Sequence, residues 1–378
     1  MPDVVALLEY PTLNGGERSL LSSIRVLKET GLTFAAIAPK GGPLGEALLQ
    51  HEIDHVPFSF HDEQGSRLAL KNIRHDLQRA LASLKPSLLH ANSLSASRIA
   101  GPVAKCLSLK SLGHLRDILR VSRQAIEDLN CNTRLLAVSC ATLRYHRAAG
   151  LATDTSTVVY NGVDTSEFQP AKRTGFLHQE IGIPPACRLI GTIGQISLRK
   201  GLDVALDAFS QFASEQPDAH LLMIGQRLSN KAESVELEQQ LRQRATTGPM
   251  RGRVHFLRWR NDICRILPEL SILLHAARQE PLGRVLLEAG SCGVPIVATD
   301  VGGTGEIFPS AAEAMLVPPD DSKAIASCLR RIYSDPQFAD SLGRCAQNRI
   351  ETHFHHRHAA SELANQYRLT ASFQKRPS

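Results

Sequence analysis

The sequence predicts an α/β protein made of two Rossmann-like units, each with a parallel sheet covered by helices on both faces. Three observations lead to this fold class. Short apolar, β-branched runs alternate with longer amphipathic stretches over most of the 378 residues, which is the pattern of parallel strands joined by helices. The length exceeds that of one ordinary domain. A segment rich in glycine and proline, residues 161–185, separates the two alternating halves, as an interdomain connection does.

The apolar runs that predict strands in the first half are residues 4–8, 33–38, 87–90, 135–139 and 157–160. The amphipathic stretches that predict helices there are residues 17–29, 67–84 and 95–107. In the second half the predicted strands are residues 188–193, 220–224, 254–257, 271–275 and 295–299, and the predicted helices are residues 202–215, 234–245, 284–292 and 351–373. Parallel sheets bind ligands where strand carboxyl ends meet helix N-termini. We therefore expect the two units to face each other across a ligand-binding cleft.

The composition, with 43% hydrophobic and 21% charged residues, is that of a globular protein with a sizeable core. No apolar run approaches the roughly 20 residues of a membrane span, and Asp3 and Glu9 favour a first strand over a signal peptide. The eight cysteines include no C-x-x-C pair, so we expect mostly buried, reduced thiols and a cytoplasmic location. The net charge of +6 suits anionic small molecules or peripheral contact at the inner face of the membrane. No nucleic-acid-binding motif is present, so no nucleic acid partner is expected.

The densest group of polar residues is QEPLGRVLLEAGSCGVPIVATDVGGTGEIF, residues 279–308. Glu280 precedes a predicted helix and Glu288 lies within it. Gly302, Gly303 and Thr304 follow the predicted strand 295–299 and offer backbone N–H groups at another helix start. Each feature alone fits a helix cap or a solvated side chain. Their order and spacing together indicate a functional site.

With these residues the chain resembles the retaining glycosyltransferases of family 4, which have the GT-B fold of two facing Rossmann-like domains. The family pattern is E-x7-E, a G-x-P-V-V-A strand and a GG-x-x-E turn, supplied here by Glu280, Glu288, residues 293–298 and residues 302–306. The resemblance implies that Glu280 contacts hydroxyls of the donor sugar and that Glu288 accepts hydrogen bonds from the nucleotide ribose. It also implies that the backbone of residues 302–304 meets the donor phosphates or the sugar.

A second matching segment is GTIGQISLRKG, residues 191–201, which ends a predicted strand and opens a helix, a natural position for an anion. In the family, an arginine after the second glycine and a lysine before the last one bind the donor diphosphate. Lys200 matches the lysine, but Gln195 occupies the arginine's place. Gln195 brings no charge, so either Arg199 compensates or diphosphate binding is weaker. The resemblance also implies that Gly283, at the helix entry after Glu280, belongs to the donor site.

In the first half, Gly15 and Gly16 follow the first predicted strand, where the family has a glycine-rich loop close to the reacting centre. A simple tight turn is the alternative. His90 ends the predicted strand 87–90, and His114 is expected to follow another short strand. Both resemble family positions that face the cleft, which makes His114 a candidate catalytic residue, although a lone histidine also fits a structural role. Arg116 either binds an acceptor phosphate or carboxylate or pairs locally with its acidic neighbour.

Residues 159–164, VYNGVD, match the family's passage from strand to linker. The expected division is an acceptor-side domain at residues 1–165, a linker at 166–185 and a donor-binding domain at 186–351. A C-terminal helix at about 352–378 is expected to pack back on the first domain.

The predicted function is retaining transfer of a sugar from a nucleotide-diphosphate sugar, the co-substrate, to a saccharide, lipid-linked or small-molecule acceptor. No D-x-D pair is present, so we expect Lys200, Arg199 and backbone amides to receive the departing diphosphate without a metal ion or other cofactor. The histidines at positions 353, 355, 356 and 358 lie at the start of a predicted helix and are not expected to bind metal. Two alternatives stay open: a GT-B protein that binds nucleotide sugars with weak catalysis, and a Rossmann oxidoreductase. The loop after the first strand lacks G-x-G-x-x-G, which argues against the oxidoreductase.

Overall fold

The computed structural model describes residues 1–373 of the chain. Its contacts divide the chain into two compact units, Met1–Gly162 with the segment from His356 onward, and Val163–His355. The contacts place residues 163–185 in the second unit, where buried Glu269 accepts hydrogen bonds from the amides of Thr174 and Gly175 at 2.6 and 3.0 Å. Residues 374–378, the end of the predicted C-terminal helix, lie outside the described residues.

The first unit is built on a parallel sheet with the strand order β3-β2-β1-β4-β5-β6-β7. Its strands are β1 (Val4–Leu7), β2 (Phe34–Ala38), β3 (Asp54–Pro57), β4 (Leu88–Ala91), β5 (Ser111–Leu115), β6 (Arg134–Ala137) and β7 (Ser156–Val158). The edge strand β3 is half exposed and has no apolar run, which is why the sequence pattern did not predict it.

Helices cover both faces of this sheet: α1 (Gly15–Lys28), α2 (Gly42–Gln50), α3 (Leu70–Leu84), α4 (Leu94–Cys106), α5 (Arg123–Asn130) and α6 (Cys140–Ala148). Ser93, Ser122 and Ser139 begin the last three, each accepting a hydrogen bond from the amide of the helix's third residue, as N-cap residues do. Alternate residues of β1 enter two apolar layers, Val4 on the side of α1 and Val5 on the side of α3 and α4. The sheet is therefore buried on both faces, as parallel sheets are.

The second unit is built on a parallel sheet with the strand order β10-β9-β8-β11-β12-β13. Its strands are β8 (Arg188–Ile193), β9 (Ala219–Ile224), β10 (Val254–Leu257), β11 (Ile272–His275), β12 (Ile296–Thr299) and β13 (Met315–Val317). Its helices are α7 (Phe176–Ile181), α8 (Leu202–Ala213), α9 (Ala232–Ala245), α10 (Ile263–Ile266), α11 (Arg284–Ser291), α12 (Thr304–Ile307), α13 (Ser322–Ser334) and α14 (Pro336–His353). The predicted fold class, parallel α/β sheets in two Rossmann-like units, is confirmed.

The last helix, α15 (His356–Thr370), belongs to the first unit. Tyr367 on this helix is fully buried in the core that also contains residues of β1 and α1. Gly162 lies against the helix start, since a Cβ there would stand 2.5 Å from the Cα of His356. The prediction of one helix over residues 351–373 is wrong, because α14 ends at His353 and α15 begins three residues later.

The cysteines are all free thiols, as expected for a chain without disulfides. The expectation that most are buried is wrong: Cys292 and Cys328 are buried, Cys106 is exposed and the other five are partly exposed. Apolar neighbours in the sequence do not decide burial when the residue lies on the outer side of a helix.

Candidate functional site

Three loops of the second unit meet at the carboxyl ends of β8, β11 and β12. The chain runs from β8 outward through β9 to β10 and then returns to β11 on the other side of β8. Such a reversal of strand order is where open α/β sheets bind ligands. The amide of Arg278 donates to the carbonyl of Arg199 at 2.8 Å, and the amide of Gly303 donates to the carbonyl of Glu280 at 3.0 Å. The loop carrying Glu280 is thereby fixed between the other two.

Glu280 is the centre of this group of loops. Its Oε2 lies 2.5 Å from Nζ of Lys200 and 3.0 Å from Nε2 of His275, and the Lys200 and Glu280 side chains are only 13% and 8% exposed. Burial alone would raise the pKa of Glu280, but the charge of Lys200 and the hydrogen bond from His275 outweigh burial and hold this pKa well below its usual range. Burial lowers the pKa of His275, so a neutral ring donates its Nε2–H. Glu280 is therefore an ionised carboxylate at neutral pH.

Two glycines permit the close approach of the loops. Gly201 and Gly302 have φ angles of 59° and 57°. A Cβ at Gly201 would stand 1.8 Å from the carbonyl oxygen of Ala276, and one at Gly302 would stand 1.8 Å from the carbonyl oxygen of Glu280. Only glycine fits both the backbone conformation and the space. Gly302 thus packs on the backbone of Glu280, and its predicted contact with the donor stays a prediction.

Glu288 lies a little more than one turn into α11 and is buried. Nε of Arg284 donates to its Oε1 at 2.6 Å, across one turn of the helix. Gly283 is the N-cap of this helix. The E-x7-E spacing therefore joins one acid on the loop after β11 to a second acid on the helix that follows it.

The other predicted donor residues lie on the two neighbouring loops. Gln195 and Arg199 are on the loop after β8 and are partly exposed. The amides of Gly303 and Thr304 donate to carbonyls of nearby loop residues, so both amides are used within the loops themselves. The hydroxyl of Thr304 is buried and has no hydrogen-bond partner in the part of the chain described. Donor contacts by these four residues stay predictions.

In the first unit, Arg116 is the centre of a hydrogen-bonded group beside the start of α1. Its Nη2 donates to Oδ1 of Asn92 at 2.8 Å and to Nδ1 of His114 at 3.1 Å. Its Nη1 donates to Oδ1 of Asn161 at 2.6 Å. A Cβ at Gly16 would stand 2.9 Å from Cδ of Arg116, so this glycine leaves room for the arginine.

Gly15 and Gly16 are the first two residues of α1, after the N-cap Asn14. The alternative of a simple tight turn is therefore wrong, because both glycines belong to the helix itself. Their predicted role near the donor stays a prediction.

His114 lies within β5 and is buried, whereas the sequence suggested a position after a strand. A guanidinium has only donors, so Nδ1 of His114 accepts from Arg116 and the ring proton is on Nε2. Burial, together with the charge of Arg116, lowers the pKa of His114 well below its ordinary value of 6.5 and that of His90 to about 3. Nδ1 of His90 is 2.7 Å from the hydroxyl of Tyr367. Both rings are neutral members of the core, and a catalytic role for His114 stays a prediction.

Sequence reasoning missed three residues of the second unit that contact the predicted site residues: His275, Arg278 and Arg284. His275 ends an apolar strand, where a histidine gives no signal of its own. The two arginines have the appearance of solvated charges, and only the structure gives their partners.

Within residues 1–373, no group of three or more histidine, cysteine, aspartate or glutamate side chains is arranged to hold a metal ion. None of the helices there combines the length and apolarity needed to cross a bilayer.

The fold defines an α/β protein with two Rossmann-like domains. The family model described as "Glycosyl transferases group 1" matches residues 174–349, and that described as "Glycosyltransferase Family 4" matches residues 13–167. Together the two models account for most of the chain, which therefore belongs to the group 1 glycosyltransferases of the GT-B type. The resemblance found in the sequence motifs is confirmed.

Known relatives and structures agree with this assignment. The lipopolysaccharide core biosynthesis mannosyltransferase LpsB of Rhizobium meliloti is 27% identical over 200 residues, which are 51% of this chain and 56% of LpsB. A GDP-mannose-dependent monoacylated α-(1-6)-phosphatidylinositol monomannoside mannosyltransferase of Corynebacterium glutamicum is 26% identical over 322 residues, 82% of this chain and 74% of that protein. The crystal structure of Anabaena HepE in complex with UDP-glucose has a TM-score of 0.86 at 21% identity, covering 98% of this chain and 100% of HepE. The chain spans about half the length of LpsB and of the α-maltose-1-phosphate synthases that it also matches.

Proposed function

We propose that this protein transfers a sugar, with retention and without a metal ion, from a nucleotide-diphosphate sugar to a saccharide, lipid-linked or small-molecule acceptor. The observation that carries this proposal is the ion pair between Lys200 and Glu280 at the strand reversal of the second unit. It brings a cation suited to a diphosphate and a carboxylate suited to sugar hydroxyls into direct contact. In this proposal the second unit binds the donor and the first unit takes up the acceptor.

The departing diphosphate gains negative charge as the sugar–phosphate bond breaks. Lys200 has three N–H donors and directs one at Glu280, so the other two are assigned to phosphate oxygens. Arg199, one residue earlier, adds a second positive charge and compensates for the uncharged Gln195. A preorganised donor of this kind lowers the barrier by about 3 to 4 kcal/mol. These two cations take the role that a D-x-D site with its divalent ion has in metal-dependent transferases.

Glu280 is assigned to the donor sugar. The contacts from Lys200 and His275 both use Oε2, so Oε1 is the oxygen that accepts from a sugar hydroxyl. Because the carboxylate stays ionised, it also stabilises positive charge that develops on the sugar ring in the transition state. The roles are positioning and electrostatic stabilisation, and Glu280 is not assigned as a nucleophile.

The relatives guide the choice of substrates to test. HepE was crystallised with UDP-glucose, and the Corynebacterium relative is named as GDP-mannose-dependent and acts on a phosphatidylinositol monomannoside. UDP- and GDP-linked hexoses are therefore the first donors, and saccharide and glycolipid acceptors the first acceptors. A cytoplasmic protein in peripheral contact with the inner face of the membrane is compatible with the net charge of +6.

The test begins with thermal stabilisation by UDP, GDP and ADP, since a ligand that binds the folded state raises the unfolding temperature. Donor turnover is then followed as release of the nucleoside diphosphate, with and without EDTA, and the anomeric configuration of the product is read by NMR. We expect turnover in EDTA and a product with the configuration of the donor. Inhibition by EDTA that added metal reverses would contradict the metal-independent mechanism, and an inverted product would contradict retention.

A second candidate function is a GT-B protein that binds nucleotide sugars with weak catalysis. The observation that favours it is Gln195, which replaces a charged family residue on the phosphate-binding loop. Stabilisation by a nucleoside diphosphate without release from any nucleotide sugar would favour this candidate. Restoring the charge with Gln195→Arg would then be expected to increase turnover.

A further inference from the structure

Arg278 lies two residues before Glu280, and its guanidinium donates hydrogen bonds to three residues. Its Nη1 and Nη2 donate to the two carboxylate oxygens of Asp203 at 2.9 and 2.6 Å. Its Nε donates to Oδ1 of Asp320 at 2.6 Å, and Nη1 also donates to the carbonyl of Leu198 at 2.9 Å. One guanidinium thus contacts two segments that are far apart in the chain, residues 198–203 and Asp320.

The first of these segments carries Lys200. Leu198 begins the short 3₁₀ turn that ends with Lys200. Asp203 is in the first turn of α8, directly after that 3₁₀ turn. The main chain of Arg278 reinforces the contact, since its amide donates to the carbonyl of Arg199 at 2.8 Å. Both the side chain and the backbone of Arg278 therefore bind the segment that carries Lys200.

Asp320, the third partner of Arg278, lies outside the loops that carry Lys200 and Glu280. Asp320 follows β13 and has a φ of 61°, a left-handed conformation that aspartate tolerates better than most residues. The bidentate pair with Asp203 has the fork geometry that only arginine supplies. Burial would raise the pKa of Asp203, but hydrogen bonds and charge from Arg278 outweigh it and lower that pKa.

We infer that Arg278 is a positioning residue of the donor site, which fixes the turn carrying Lys200 against the loop carrying Glu280. This inference rests on the proposed function for its catalytic consequence. Lys200 and Glu280 are 80 positions apart in the chain, and the length of their contact depends on the relative position of two loops. Arg278 joins those loops at a point two residues from Glu280 and two residues from Lys200. A displacement of about 1 Å at a reacting centre lowers turnover about 100-fold.

The variants are Arg278→Gln, which removes the charge, and Arg278→Lys, which keeps the charge without the fork. The control is Arg330→Gln, because Arg330 makes an equally short bidentate pair with Glu215, at 2.8 and 2.8 Å, between α13 and the residues after α8. We expect kcat to fall about 10- to 100-fold in Arg278→Gln with a smaller change in KM. Arg278→Lys should recover only part of the loss, and Arg330→Gln should retain parental turnover.

A readout that does not depend on turnover is the titration of the Glu280 carboxyl, followed by ¹³C NMR and assigned with Glu280→Gln. Lys200 keeps this pKa low, so displacement of the Lys200 turn in Arg278→Gln should move it towards the ordinary value of 4.5. An unchanged titration in a folded Arg278→Gln protein, together with parental kcat, overturns the inference. If the titration shifts but the parental protein binds no nucleoside diphosphate and transfers no sugar, the positioning role stands and the proposed function fails.

Discussion

Nζ of Lys200 lies 2.5 Å from Oε2 of Glu280, and both side chains are nearly buried. The pair joins the loop after β8 to the loop after β11, two strands that are neighbours in the sheet but far apart in the chain. Lys200, which is predicted to bind the diphosphate, and Glu280, which is predicted to bind the sugar, therefore form one ion pair. In the proposed mechanism the donor diphosphate and Glu280 both contact Lys200. Replacing either residue therefore leaves the charge of the other without its partner.

The first prediction concerns this coupling. Lys200→Met should abolish measurable transfer and should also destabilise the protein by about 3 kcal/mol, because it leaves a buried carboxylate without its cation. The double variant Lys200→Met with Glu280→Gln should recover most of the stability, since no buried charge stays unpaired, but should recover no activity. Urea unfolding and donor turnover measure the two effects separately. Equal stability of the single and double variants would contradict the coupling.

The sequence predicted which residues of this site to consider, but it did not predict the residues that hold them in place. Glu280 and Glu288 lie in one motif of fixed spacing, on the loop after β11 and the helix that follows it, and Lys200 lies in a second motif on the loop after β8. His275 contacts Glu280 five residues further along the same segment. The contacts of Arg278 with Leu198 and Asp203 instead depend on which strands are neighbours in the sheet. That neighbourhood is set by the strand order, in which β8 pairs with β11, and no local pattern encodes it.

In the first unit, too, the sequence predicted buried strands but not the contacts between residues of neighbouring strands. The apolar runs located β1 and β4 because both are buried on two faces. The prediction for His114 placed it after a strand, since SLGHL lacks the β-branched residues that indicate one. Its contact with Arg116 and the ring stacking with His90 bring together residues of two neighbouring strands. The pairing of β4 with β5 brings His90 and His114 together, and the sequence does not predict that pairing.

The second prediction concerns Gly302. Alanine in a left-handed conformation costs about 1 kcal/mol at any site, but at Gly302 the methyl group would also stand 1.8 Å from the carbonyl oxygen of Glu280. Gly302→Ala should therefore displace Glu280 and reduce kcat about 10- to 100-fold. Gly248→Ala is the matched control, because Gly248 has a φ of 56° and no atom within 4 Å of its added Cβ. The control should lose stability alone, and equal activity loss in both variants would contradict the steric argument.

The third prediction concerns the proposed ribose contact of Glu288. Because a hydrogen bond to a charged group contributes about 1.5 to 3 kcal/mol, Glu288→Gln should weaken nucleoside diphosphate binding about 10-fold or more by calorimetry. Deoxyribose forms of the nucleotide should bind the parental protein correspondingly weakly and should lose little further affinity in the variant. Glu127→Gln serves as control, because Glu127 forms an exposed pair with Arg123 at the same i,i+4 spacing. If the loss of affinity caused by the deoxyribose nucleotide and the loss caused by Glu288→Gln add up, Glu288 does not contact the ribose.

The fourth prediction concerns acid stability of the first unit. His90 is fully buried and contacts His114 and Tyr367. Its burial and, to a smaller extent, the charge of Arg116 lower its pKa to about 3. The unfolded chain therefore binds a proton below about pH 6.5 that the folded protein does not bind, so stability is complete above that pH and decreases as pH falls towards 3. The loss amounts to about 1.4 kcal/mol per histidine by about pH 5.5. His90→Gln removes one such group, so its stability difference from the parental protein should be smaller at pH 5.5 than at pH 7.5 by about that amount.

Denaturant unfolding at the two pH values measures this stability difference, with His75→Gln on the exposed side of α3 as control. A parental pH dependence retained in His90→Gln would show that the buried imidazole is not the source of the acid sensitivity.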